Sequence, residues 1–260
     1  PILMICPTPE QSRRVHERIC AWNSDTELIL RFSETESLPY ERLVTDSETA
    51  QQRINVLSKL SDFEGNQSPL VVCSVTALCQ GSITKEVLHK STRTISKGDK
   101  ISLSDLAQHI LQMGYSIEPT TSANGEASRR GGGIMDIFPT GSEFPFRIEL
   151  WGDEINSIRV FDPYSQRSLE KVSSMKVCPA IETLPAMIPR EELDVSFSRI
   201  DLSNCSLDER GKIRVEIDLI LEGSMFDDIG LYSGILNRGT LTDYLPKDTM
   251  VLLYRPTDIS

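Results

Sequence analysis

The stretch GGGIMDIFPTGSEFPFRIELWGDEINSIRVF (131–161) decides how the middle of this chain folds. Gly133 to Phe138, Phe146 to Trp151 and Ile155 to Phe161 are strand-like runs. The last two alternate apolar and polar residues, the period-two pattern of a half-buried strand. PTGSEFP (139–145) is a turn-rich link, and Gly152-Asp153 marks a hairpin corner. Upstream, Ser102 or Ser104 can cap a helix carrying Leu103, Leu106, Ile110 and Leu111 and ending at Gly114. An antiparallel meander beside one helix is an α+β module.

The pattern changes outward from this module, near residue 92 on one side and 176 on the other. The upstream part reads as α/β. Ile2 to Cys6 is an apolar run closed by Pro7. Thr8 then serves as N-cap, Pro9 takes the first helical position, and Gln11 can close a capping box. Val15, Ile19 and Trp22 follow at helical spacing. Leu28 to Phe32 is a second strand, and Ser47 begins a helix with Ile54, Leu57 and Leu60 on one side. Leu70 to Val75 is apolar on both faces, as a central parallel strand is. Downstream, Met187 to Leu193 contains Pro189 and two Glu and reads as a linker. IRVEIDLIL (213–221) alternates and reads as a strand. Thr249 to Tyr254 is an apolar strand placed to rejoin the first sheet. With no initial Met and a strand at once, the chain is expected to be a piece of a longer one.

Composition narrows the classes. The 260 residues include 27 Lys and Arg against 38 Asp and Glu, a net charge of −11, with 39% hydrophobic residues. Those are globular values, and they exclude a disordered tail, a rod and a coiled coil. A protein gripping duplex DNA through phosphates needs a basic face, whereas this chain as a whole repels a polyanion. Residues 91–176 hold 10 basic and 11 acidic side chains, net −1, while the remainder carries net −10. The six cysteines form no CxxC pair and the three histidines are scattered, so zinc-ligand spacing is absent. Cysteines inside apolar runs such as LVVCSV (70–75) suit a reducing, cytoplasmic setting. No apolar run reaches transmembrane length.

The motifs point away from chemistry. No Gly-rich turn ends in Lys and Ser or Thr, so a P-loop is not read; Gly234 and Gly239 are spaced for one, but Thr240 stands where Lys is required. DEIN (153–156) sits at the hairpin corner rather than in an acidic helicase box. No Ser-His-Asp or Cys-His set can be argued. The strongest local signal is SRRGGG (128–133). Its paired guanidiniums suit carboxylates or phosphates, and its glycines suit close backbone approach. Read blandly, it is a solvated strand edge with a bulge. Arg159 and Arg167 read as solvated surface arginines. LPYERL (38–43) reads as a packed turn.

SLPYERLVTD (37–46), VVCSVTALCQ (71–80), RRGGGIMDIFPTGSEFPFRIELWGDEINSIRVFDPYSQRS (129–168) and GTLTDYLP (239–246) resemble the N-terminal, UvrB-homology region of bacterial transcription-repair coupling factor. The excision nuclease subunit UvrB is the close relative; it has a Walker A motif and an aromatic-rich insertion, whereas the link FSETESLPYERL (32–43) has no such insertion. The resemblance implies a degenerate P-loop-NTPase-like α/β domain, residues 1–92 and 176–260, truncated at its N-terminus. It is interrupted by an inserted α+β domain at 93–175 that binds UvrA. It implies no catalysis and no cofactor in this part, ATP and Mg belonging to the parent's motor. RNA polymerase and DNA would be met through other parts of the parent. No membrane is involved, and an intramolecular contact with the parent's other domains is implied. The UvrA-contacting positions carry over to Arg129, Arg130 and Gly131. An added glycine shifts the family pattern, so either arginine is a candidate, and one residue reverses the face of a strand. Ser116, after Tyr115, stands where UvrB has an arginine. The competing class is a fragment of a UvrB-like ATP-dependent helicase, which ATP or single-stranded DNA binding would reveal.

Overall fold

The computed structural model describes residues 1–35, 47–63 and 69–259. LPYERL (38–43) and the matching string 37–46 lie outside the described residues. The chain opens with β1 (Ile2–Cys6), α1 (Pro9–Trp22), β2 (Ile29–Phe32), α2 (Ser47–Ser61), β3 (Leu70–Ser74), α3 (Val75–Cys79) and α4 (Lys85–Ser91). β1, β3 and β2 are neighbours in parallel register, Ile2 beside Leu70 and Ile29 beside Leu70. Thr8 Oγ1 caps α1 by accepting from Gln11 N at 3.3 Å. The capping box stays half-made, because the buried Gln11 Oε1 has no partner among the described residues. Trp22 is 90% exposed, so the expected apolar face stops short of it; the helix ends there, with Asn23 as its cap. α2 buries Ile54, Leu57 and Leu60 as read, and with them the whole of Arg53. The strand expected to reach Val75 stops at Ser74, whose Oγ accepts from Ala77 N at 3.0 Å and starts α3. A serine cap three residues from its donor outweighs the β-branched run here.

Next come β4 (Arg93–Ser96), α5 (Leu103–Gln112), β5 (Ser116–Ile117), β6 (Glu126–Arg130), β7 (Ile134–Ile137), β8 (Phe146–Trp151), β9 (Glu154–Phe161), β10 (Ser168–Val172) and β11 (Ser174–Val177). A six-stranded sheet runs β10-β9-β8-β7-β6-β5. It is antiparallel except for the short β5–β6 pair. β4 and β11 form a separate antiparallel pair. Ser102, not Ser104, caps α5, accepting from Asp105 N at 3.1 Å. Gly114 follows that helix at φ +82°, where a Cβ would collide with the Ile181 side chain. Leu106, Ile110 and Met113 of the helix region pack with Ala127, Met135, Ile148 and Ile158 of the sheet, all buried. Each such side chain contributes roughly 1.5–3 kcal/mol relative to exposure.

The last part holds α6 (Arg190–Phe197), α7 (Leu207–Leu221), α8 (Ser233–Leu236) and β12 (Met250–Leu253). Two expectations are corrected. Met187–Leu193 is not a linker: a 3₁₀ turn at Pro185–Met187 leads directly into α6, with Leu193 and Phe197 buried against Tyr232 and Leu236. IRVEIDLIL (213–221) is not a strand but most of α7. Ser206 caps it, accepting from Glu209 N at 3.2 Å, and Asp208 and Glu209 occupy the first turn, where carboxylates are favoured. The alternating residues also satisfy helical spacing. Ile213, Ile217 and Ile220 share a side, Ile220 is fully buried, and Val215 stands 61% exposed. β12 rejoins the first sheet as read, parallel to β1 with Met250 beside Ile2, giving the order β12-β1-β3-β2. The whole is a mixed α/β protein with parallel and antiparallel sheets.

Candidate functional site

Successive residues of a strand face opposite ways. In the six-stranded sheet Ala127, Met135, Ile148 and Ile158 point toward α5 and form the core. Their neighbours make a polar row on the other face. Ser128 sits beside Asp136, Asp136 beside Arg147, Arg147 beside Arg159, and Arg159 beside Lys171. Like charges directly across strands are unfavourable unless anions are set among them. Two carboxylates do this. Glu149 accepts from Arg159 Nη2 at 2.8 Å and from Ser157 Oγ at 2.7 Å. Asp136 is the deeper one.

Asp136 is fully buried, and both its oxygens are used. Arg147 binds it bidentately, Nε to Oδ1 at 2.8 Å and Nη2 to Oδ2 at 2.8 Å. Arg130 Nε reaches Oδ2 at 2.8 Å. One negative charge thus holds two guanidiniums, leaving the trio at net +1. Arg147 lies 4.6 Å over the Phe161 ring, and its hydrogen bond to Asp136 raises its pKa further above the usual arginine value. Arg130 is the outer member, its side chain 34% exposed. Its Nη2 donates to Gln166 Oε1, from the turn between β9 and β10. Gln166 Nε2 in turn donates to Pro163 O at 2.7 Å and Thr121 O at 3.2 Å.

The residues singled out in the sequence are distributed unevenly around this trio. Arg130 and Ser128 face it together. Arg129, one residue away, lies on the α5 side of β6, opposite Met135 in register, exposed and without an ion pair among the described residues. One flat face therefore cannot use both arginines in the same way. Gly131 and Gly132 lie in the turn joining β6 and β7, with open space where side chains would be. Gly133 is different: at φ +79° its Cβ would meet Leu150 O at 2.9 Å. Ser116 is exposed, pairs with Glu126 across β5 and β6, and lines a cleft of about 770 Å³ with Tyr115, Glu182 and Met225. Arg159 is ion-paired rather than simply solvated. Asp136, Arg147 and Gln166 were not singled out by the sequence reading. The polar positions in IMDIF and FRIEL were the available signal, but pairing them requires the register across the 138–145 link.

Among the described residues no group of three His, Cys, Asp or Glu could hold a metal ion. No helix there is long and apolar enough to cross a membrane. The arrangement can serve recognition: a partly exposed guanidinium, tied to Asp136 and Gln166, on the polar face of the sheet.

Residues 94–182 match the UvrB interaction domain family. The transcription-repair-coupling factor of Bacillus subtilis is 30% identical over 266 residues, covering 97% of this chain and 22% of that protein. That of Escherichia coli is 30% identical over 182 residues, 70% of this chain and 15% of that protein. The UvrABC system protein B of Psychromonas ingrahamii is 29% identical over 184 residues, 61% of this chain and 26% of that protein. The chain spans about a fifth of the length of the coupling factors it matches. Over most of its length this chain is therefore similar to transcription-repair-coupling factors, and its residues 94–182 match the UvrB interaction domain.

Proposed function

We propose that this chain is a non-catalytic recruitment region of a transcription-repair-coupling factor, docking UvrA so that removal of stalled RNA polymerase is coupled to nucleotide excision repair. The observation that carries the reading is the coincidence of the UvrB interaction domain match with the partly exposed Arg130, fixed to a buried carboxylate on the polar face of the same sheet. In this reading residues 93–175 are the docking domain, inserted into a UvrB-like, degenerate P-loop-NTPase-like body made of 1–92 and 176–260. The four-stranded parallel sheet, which takes β1 and β12 from opposite ends of the chain, supports that interrupted body. Arg130 makes the central contact with an acidic group on UvrA, while Arg129, Gly131 and Ser116 lie around it as further contact positions. ATP, Mg, DNA and RNA polymerase belong to other parts of the parent, which works in the cytoplasm. An intramolecular contact masks the same face in the resting parent.

Binding of purified UvrA to this chain, measured by calorimetry, tests the reading. Arg130→Ala leaves Asp136 doubly bonded to Arg147 and so preserves the fold. It is expected to weaken UvrA binding by about 2–5 kcal/mol, the usual loss on truncating one partner of a desolvated charge pair. Arg130→Glu, which sets a second carboxylate beside Asp136, abolishes it. No binding by the parent chain, or unchanged affinity in Arg130→Ala, refutes the reading. ATP or single-stranded DNA binding by the chain alone would favour the helicase-fragment alternative.

A further inference from the structure

We propose that Gln166 is a positioning residue for the docking face, holding the Arg130 guanidinium so that Nη1, which has no partner among the described residues, is presented to an acidic partner. The inference rests on the docking role of Arg130 and specifies how that role is built. Arg130 Nε is ion-paired with Asp136 Oδ2 at 2.8 Å and Nη2 donates to Gln166 Oε1, which leaves Nη1 without a partner among the described residues. Gln166 is itself pinned on every side. Its amide nitrogen donates to Pro163 O and Thr121 O, so its oxygen must face Arg130. Its backbone N donates to Asp162 O at 2.8 Å, and its carbonyl accepts from Arg147 Nη1 at 3.4 Å.

The backbone makes the same point. Gln166 is one of two described non-glycine residues at positive φ, at +60°. A glutamine in the left-handed region costs free energy relative to glycine, and such strain persists where the surroundings over-determine it. Glycine would suit the turn alone. Only a side chain with an amide oxygen at this reach meets Arg130 while its amide nitrogen closes the turn. Fixing a long cationic side chain before binding removes an ordering cost that association would otherwise bear. The outward guanidinium edge, in a trio of net +1, fits a carboxylate on the partner.

The two roles separate experimentally. UvrA affinity and thermal stability are measured for the parent chain, Gln166→Gly, Arg130→Ala and the double variant. Gln166→Gly relieves the strained backbone, so its melting temperature stays at or above the parent's, yet UvrA binding weakens about 3- to 10-fold, the range for releasing one ordered side chain. In the Arg130→Ala background Gln166→Gly has no further effect. Gln166→Ala, which keeps a Cβ, gives the same binding loss and serves if the glycine variant folds poorly. Parent-like affinity in both Gln166 variants while Arg130→Ala weakens binding overturns the positioning role and leaves the docking reading intact. Equal losses with and without Arg130 also overturn it, since Gln166 would then act independently. Parent-like affinity in Arg130→Ala overturns the docking reading itself.

Discussion

Replacing Arg53 with methionine is expected to destabilise the protein more than any surface change. Arg53 is fully buried on α2. It donates from Nε to Glu182 Oε1 at 2.5 Å and from Nη2 to Glu182 Oε2 at 3.2 Å. Nη1 donates to Ser33 O at 2.7 Å, Nη2 also lies 3.4 Å from Gly81 O, and the guanidinium stacks 4.1 Å from the Phe32 ring. One side chain thus ties the segment after β2, the turn after α3 and the chain leaving β11. A methionine side chain in its place would fill much of the volume but leave the Glu182 carboxylate buried without its cation. Breaking a buried pair in this way costs about 3–5 kcal/mol, a large part of a total stability of roughly 5–15 kcal/mol. At about 2–4 °C per kcal/mol for a protein of this size, the melting temperature falls by roughly 6–20 °C. Far-UV circular dichroism is the suitable probe, because Trp22 and Trp151 are 90% and 85% exposed and barely report on the core. The decisive comparison is the double variant Arg53→Met/Glu182→Met. With both charges gone, neither ion is left buried without its partner, and stability returns to within about 2 kcal/mol of the parent. A single variant that loses under about 1 kcal/mol, or a double variant as unstable as the sum of both single changes, refutes the reasoning.

Three further outcomes follow from the same structure. Gly133→Ala, at positive φ against Leu150 O, should lower stability by about 1–3 kcal/mol in urea titration, while Gly131→Ala, with open space around it, stays within about 0.5 kcal/mol. His109 has a pKa lowered from 6.5 by burial and, secondarily, by Arg93. The unfolded chain therefore binds this proton more readily than the folded one. The contribution is fully present above pH 6.5 and is lost as pH falls from there toward the lowered value; His109→Gln should flatten that part of the stability profile. Burial pushes the Cys73 thiol up to about 12, and Cys79 is exposed, so iodoacetamide followed by mass spectrometry should label Cys79 in the native protein while Cys73 stays unlabelled until unfolding. Equal labelling of the two would count against the buried position of Cys73.

Local signals in the sequence were sufficient where one short-range cause dominated. Thr8 before Pro9, a serine at 102 or 104 before an apolar stripe (the structure selects Ser102) and the Gly152-Asp153 corner each specify their element through contacts within four residues. The meander, the helix beside it and the return of the last strand to the first sheet were all legible in this way. Resemblance in the 129–168 string pointed to coupling factors and to Arg129 and Arg130 alike, without choosing between them. Residues 213–221 show where this fails: their alternation fits both periods, and the choice came from the Ser206 cap and from packing of Ile220 on distant residues. The trio of Arg130, Asp136 and Arg147 was decided by tertiary structure alone. Asp136, Arg147 and Gln166 lie up to 30 positions apart in the chain, and they meet Arg130 only through strand register and the turn that folds back over the sheet. Which of two adjacent arginines faces that carboxylate depends on a single-residue step along β6: Arg130 shares the face of Ser128 and Asp136, whereas Arg129 lies opposite Met135 on the face of buried Ala127.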